Sequence, residues 1–139
     1  MLAIDVDVSA GTELLQQIID RLDNPRDALT VLGDLLGDYE REVFATDGFG
    51  TWATLDPATV RAKDCNRILV DTGEALRHLT GSPDISGESV TASGPSYLDY
   101  LRQGARGMPK RDATPTPTPA HLDDWAEGLL GSLVHGRRR

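Results

Sequence analysis

Proline stands at every second position from 115 to 119, in the run Ala113-Thr114-Pro115-Thr116-Pro117-Thr118-Pro119-Ala120. Each proline fixes φ and lacks a backbone N–H, so the run can neither continue a helix nor pair inside a sheet. An extended, polyproline-like spacer is expected, reaching up to about 20 Å at roughly 3.1 Å per residue. The spacer divides the chain into three parts: a core domain over 1–112, a linker over 113–120, and a C-terminal amphipathic helix with a basic end over 121–139. In the last part Leu122, Trp125, Leu129 and Leu133 share one helix face, and Arg137-Arg138-Arg139 closes the sequence.

Before the spacer the apolar pattern changes period twice. Residues 2–8 alternate apolar and polar, as a half-buried strand does. Residues 12–22 carry Leu14, Leu15, Ile18, Ile19 and Leu22 at helical spacing, with Thr12 or Ser9 as cap. Asn24 and Pro25 start a second helix running to about 45, its apolar stripe formed by Leu29, Leu32, Leu35, Leu36, Tyr39 and Val43. Gly33 and Gly37 weaken that helix and mark close packing against a neighbour.

Residues 46–51 read as a loop. Asp56-Pro57 opens a short helix to 62, with Asp56 as cap. Residues 67–70 fit either a strand or a helical extension. Residues 71–73 are a turn, 74–79 a short helix, 81–88 a hairpin-type loop, 89–93 a short strand, and 96–103 a helix ended by Gly104. The fold class predicted is α+β: a small twisted, mostly antiparallel sheet packed with two longer helices, plus the extended Pro-Thr arm and the C-terminal helix.

Charge separates the chain into unlike parts. Residues 1–47 hold eleven acids and three bases, a balance of −8, while residues 48–139 balance to zero. A surface of that kind repels a DNA backbone, which speaks against sequence-specific DNA binding. Asp27, Asp34, Asp38 and Glu42 fall on one stripe of the second helix, which reads as a solvated face. The single cysteine, Cys65, forms no internal disulfide and suits a reducing cytoplasm. No signal peptide or membrane-spanning run is evident.

No motif carries reaction chemistry. His78, His121 and His135 lack metal-ligand spacing with a cysteine or carboxylate, and Gly48-Phe49-Gly50 lacks the Gly-Lys-Ser/Thr ending of a phosphate loop. Asp123 and Asp124 point to different sides of a helix. The reading is of a non-enzyme without catalytic residues, metal or cofactor.

An ordered series remains. Trp52, Leu55, Pro57 and Thr59 are followed by Lys63, then by the run from Arg67 through Ile68, Leu69, Val70, Asp71, Thr72 and Gly73 to Leu76. Tyr97, Tyr100, Leu101 and Gly104 come next, and Met108-Pro109-Lys110-Arg111 ends the series. This order and spacing resembles the phage virion morphogenesis family, the tail-completion and neck proteins of long-tailed phages related to the phage Mu virion morphogenesis protein. About 60 residues carry the likeness. Two departures stand out: Arg111 is followed by Asp112 and Ala113 in place of the family's Pro-Phe-like pair, and the Pro-Thr run and final helix have no counterpart.

The resemblance implies an α+β domain acting as a virion structural protein at the head–tail connector, as tail terminator or tail completion protein. It implies a six-fold ring of identical subunits that touches adjacent neck proteins and the tail tube protein, lets genomic DNA pass, and is made in the bacterial cytoplasm; Asp27, Asp34, Asp38 and Glu42, or Asp5 and Asp7, would then line its lumen as a wall that keeps the duplex sliding. The matched residues Trp52, Leu55, Leu69, Thr72, Gly73, Leu76, Tyr97, Gly104 and Pro109 have fold-holding roles beside it, and Arg111 would pair with a carboxylate of an adjacent subunit. Leu122, Trp125, Leu129 and Leu133 would dock as an arm on a neighbour, or equally on their own domain. A different reading is a soluble adaptor or assembly factor that binds a protein partner through its C-terminal helix.

Overall fold

The computed structural model describes residues 3–5, 7–104 and 107–136. Among them are six helices and one two-stranded antiparallel sheet: α1 (Ser9–Asp23), α2 (Arg26–Ala45), α3 (Pro57–Lys63), α4 (Glu74–Thr80), β1 (Asp84–Ser86), β2 (Ser89–Thr91), α5 (Tyr97–Gln103) and α6 (Pro119–His135). The fold is α+β, and its β part is a single hairpin in which Ile85 faces Val90. No helix among the described residues is long and apolar enough to cross a membrane.

Helix α2 is the axis of the structure. Its principal packing partners are α6 and α4, with the hairpin beside α4. The two partners attach on opposite sides. Tyr39 meets Trp125 of α6, and Leu35 lies under Gly128 of the same helix. Gly33 lies against Pro83, so close that a Cβ there would stand 2.6 Å from Pro83 Cγ, and Gly37 faces the Thr80 carbonyl of α4. At about 100° per residue, Leu35 and Gly37 are roughly 200° apart around the helix. The glycines therefore mark close packing, as their place in the sequence suggests. The core gathers around the C-terminal half of α2: Tyr39, Val43 and Phe44 with Trp52, Ile68, Ala75, Leu79 and Ala113.

Several local expectations are met. Asp56 caps α3 by accepting from the Ala58 N–H at 2.8 Å, and Pro57 is the first helical residue. Gly73 and Gly104 sit at φ 77° and 72°, the left-handed region that favours glycine. Thr118 caps α6.

Others are corrected. The strand read over 2–8 does not form: residues 3–5, 7 and 8 are irregular and exposed, and residues 1, 2 and 6 lie outside the described set. Alternation stabilises a strand only when a ladder partner exists, and among the described residues no strand pairs with this segment. Asp7 serves the helix instead, its carboxylate accepting from the Ser9 N–H at 2.9 Å. Residues 67–70 are neither strand nor helix but a turn, with Leu69 at φ 55° and Ile68 buried. The small antiparallel sheet expected is present as the hairpin, with its first strand at 84–86 inside the segment read as loop.

Candidate functional site

The motif residues of 52–111 assemble in two places. The first is a knot where the start of the Pro-Thr run crosses the loop after α2. Trp52 is buried, packs edge-on against Phe44 at 5.4 Å, and donates its indole N–H to the Asp112 carbonyl at 2.8 Å. Arg111 is 8% exposed and reaches back across the same crossing. Its Nε donates to the Ala53 carbonyl at 2.9 Å and its Nη2 to the Thr54 carbonyl at 3.0 Å. The planar fork of guanidinium donors meets two successive carbonyls in a fixed geometry. In the single chain Arg111 thus binds its own backbone. Next to it, the Asp112 carboxylate accepts from Arg102 Nε at 3.1 Å and from the Thr114 N–H at 3.0 Å, and Arg102 also donates to the Thr114 hydroxyl.

The second place is a hollow of about 330 Å³ between α4, α5 and the 64–73 loop. Leu69, Thr72, Gly73 and Tyr97 line it together with Lys63. Lys63 is turned to the loop, donating to the Arg67 carbonyl at 2.9 Å. Cys65 is free and partly buried. Leu55 and Leu76 pack on the core, while Pro109 is exposed. Both places hold loops against helices through backbone carbonyls. Among the described residues no group of three His, Cys, Asp or Glu side chains could hold a metal ion.

The Pro-Thr run is a strap, extended as expected but laid across its own domain. Tyr39 donates its hydroxyl to the Pro115 carbonyl at 3.0 Å. The strap delivers α6 onto α2, where Tyr39 is the hub of an aromatic cluster. Trp125 meets its ring at 5.6 Å and 87°, His121 at 5.0 Å and 78°, and Phe49 at 5.8 Å. In the single chain Trp125, Leu129 and Leu133 are therefore half-buried in cis, and only Leu122 of the four arm residues is exposed, along with Leu130. The end of α6 is bound by α1: Arg21 donates to the Leu133 and Val134 carbonyls at 2.5 and 2.7 Å. A cation on the last carbonyls of a helix also meets the negative end of its dipole.

Beneath the strap lies Glu40, which the sequence reading passed over. It is 4% exposed, and its Oε2 has no hydrogen-bond partner. It lines a groove of about 370 Å³ with Leu36, Leu79 and residues 114–117 of the strap. Burial pushes its carboxyl up to about 7, with the neighbouring Asp112 charge acting in the same direction. A signal was present in the sequence: Glu40 lies roughly 200° from Asp38 around the helix, off the acidic stripe.

The stripe itself is on the surface. Asp27, Asp34, Asp38 and Glu42 are all exposed. Asp38 pairs with Arg41 at 2.5 Å, and Glu42 lies 3.6 Å from His121 Nε2. Asp34 and Asp38 line a wide groove of about 760 Å³ between α2 and the α4–β1 turn, joined there by Arg41 and Pro83.

Apolar side chains are also left uncovered. Helix α1 has an amphipathic sequence yet no buried residue. It leans on α6, and its outer side presents Leu15 at 63% and Leu22 at 57% exposure, with Ile19 between them. Elsewhere Tyr97 and Tyr100 of α5 and Met108 are exposed. No protein-family model, curated protein or solved structure matches the chain.

Proposed function

We propose that the protein is a non-enzymatic assembly subunit, and that its place is the head–tail connector of a long-tailed phage, as a tail completion or tail terminator protein within a ring. The observation that carries the assembly reading is α1. A helix of 15 residues with an apolar stripe and no buried side chain is stabilised too little by its own domain. Contiguous apolar surface of this kind marks a contact with another protein. The phage connector, with virion location and passage of DNA, rests on the ordered residue series of 52–111. Most of that series holds loops in place, which suits a subunit whose job is shape.

The acidic stripe supports the same reading, because exposed carboxylates along one helix give a wall that does not retain phosphates. The adaptor alternative placed partner binding on α6. Its main anchor, Trp125, is engaged by Tyr39 in the single chain, so that reading would have to use Leu122 and Leu130 instead.

The test is size and location. Light scattering on the purified chain is expected to show a species larger than a dimer, with ring-shaped particles in electron micrographs. Peptides of the chain are expected in purified virions. A strictly monomeric chain absent from particles would reject the proposal.

A further inference from the structure

We infer that the groove beneath the strap is a binding site for an alkylammonium group, an ammonium head on an apolar stem, with the Glu40 carboxylate as its acceptor. The site stands independently of the assembly reading.

The lining of the groove suits such a group. Leu36, Leu79, Ala92, Pro115 and Pro117 supply apolar surface, and Glu40 is the only carboxylate among the described lining residues. At about 370 Å³ the groove holds several methylene-sized groups, since one water takes roughly 30 Å³ of liquid.

The acceptor is in place and unanswered. Glu40 is 4% exposed, and its Oε2 has no hydrogen-bond partner. Folded proteins pair nearly all buried groups of this kind. The two cations at the start of the strap are engaged elsewhere: Arg102 with Asp112 and Thr114, Arg111 with the Ala53 and Thr54 carbonyls. Tyr39 gives its hydroxyl proton to the Pro115 carbonyl, and Pro115 and Pro117 have no backbone N–H to offer.

The last torsion of a glutamate side chain is soft, so a small rotation presents either oxygen to the groove. An ammonium brings three donors and a full charge, and its stem can lie along the apolar lining. The Asp112 charge, which already acts on Glu40, adds to the negative potential a cation meets. An anion would be repelled by both carboxylates, and a neutral apolar ligand would leave Glu40 unpaired.

The test is an NMR titration of the isotope-labelled full chain with n-butylammonium chloride, following the Glu40 carboxyl carbon. A saturable shift is expected, with a Kd of about 1 mM. Only the ionised carboxylate pairs with the amine, and Glu40 titrates at about 7, so affinity should rise about tenfold between about pH 6 and about pH 8. Glu40→Gln keeps the shape and removes the charge, and should weaken binding at least about tenfold at the higher pH. Asp38→Asn removes an equal charge from the exposed stripe of the same helix and should leave binding unchanged.

A capped alanine–lysine–alanine peptide separates two sources of the same chemistry. Binding of peptide and amine alike assigns the site to a protein's lysine side chain; binding of the amine alone assigns it to a free amine. The absence of any saturable shift overturns the site. So does a shift that sodium chloride reproduces at equal concentration, or equal affinity in the Glu40→Gln variant.

Discussion

The Trp125 ring stands edge-on to the Tyr39 ring, 5.6 Å between centroids and 87° between planes, so the last helix is attached to the second by an aromatic pair. Pairs of this geometry add about 0.5–1.5 kcal/mol beyond the area they bury. The Tyr39 hydroxyl at the same time holds the strap that leads to Trp125, so one residue on α2 fixes both the connection and its load.

Trp125→Ala should destabilise the fold by about 2–4 kcal/mol, toward the lower end of large-to-small aromatic losses because Trp125 is only half-buried. Hydrogen exchange should quicken in α6 and, through it, in α1, while α4 amides keep their protection. Equal protection of α1 in wild type and variant would show that α1 does not depend on α6.

Arg111→Ala should cost about 2–3 kcal/mol, and Arg111→Lys should recover only part of it, because an ammonium keeps the charge and its donors but not the rigid fork that fits both carbonyls. Urea denaturation measures both. Full retention of stability in the lysine variant would mean that the charge matters and the fork does not.

Stability should fall as the solution is made more alkaline through neutrality. Glu40 titrates near 4.5 in the unfolded chain and near 7 in the fold. Below the first value it is protonated in both states and adds no penalty. Between the two the unfolded chain releases its proton first, so folding weakens steadily, and above the second the loss is complete at on the order of 3 kcal/mol. Glu40→Gln should remove most of this slope, gaining stability at about pH 8 and changing little at about pH 4. Urea midpoints at the two conditions decide it: a slope unchanged in the variant would place the titrating group elsewhere.

Gly48→Ala should be costlier than an ordinary glycine substitution, by about 2–4 kcal/mol, since it combines strain at positive φ with overpacking. At Gly48 φ is 65°, and a Cβ would fall 2.3 Å from the indole nitrogen of Trp52, whose N–H is held by Asp112. A loss under 0.5 kcal/mol on thermal unfolding, within the usual range of surface changes, would mean that the indole moves freely.

The helices were legible because their signals are local. α1 and α2 show their apolar stripes, α3 its Asp56-Pro57 start, and α5 its Gly104 stop. What the sequence concealed depends on partners far along the chain. The alternation of residues 2–8 resembles a strand, but nothing in that segment says whether another strand lies beside it. Arg111 looks like a free surface cation until the fold brings the carbonyls of Ala53 and Thr54 to it from 57 or 58 residues away. Glu40 looks like one more acid on an acidic helix, and only the strap passing over it makes it a buried carboxyl. For the Pro-Thr run, backbone chemistry predicts extension, but whether it projects or lies flat is decided by Tyr39.

The grip of Arg21 on the last carbonyls of α6 has a consequence for synthesis. Its partners lie 112 and 113 residues further on, so α1 leaves the ribosome long before the helix that steadies it. Chains emerge from the N-terminal side at about 5–20 residues per second, which leaves α1 waiting for several seconds or more. During that interval α1 lacks α6, its principal packing partner. Only chains translated through to α6 would present it in binding form, so fragments released early would be poor competitors for finished subunits.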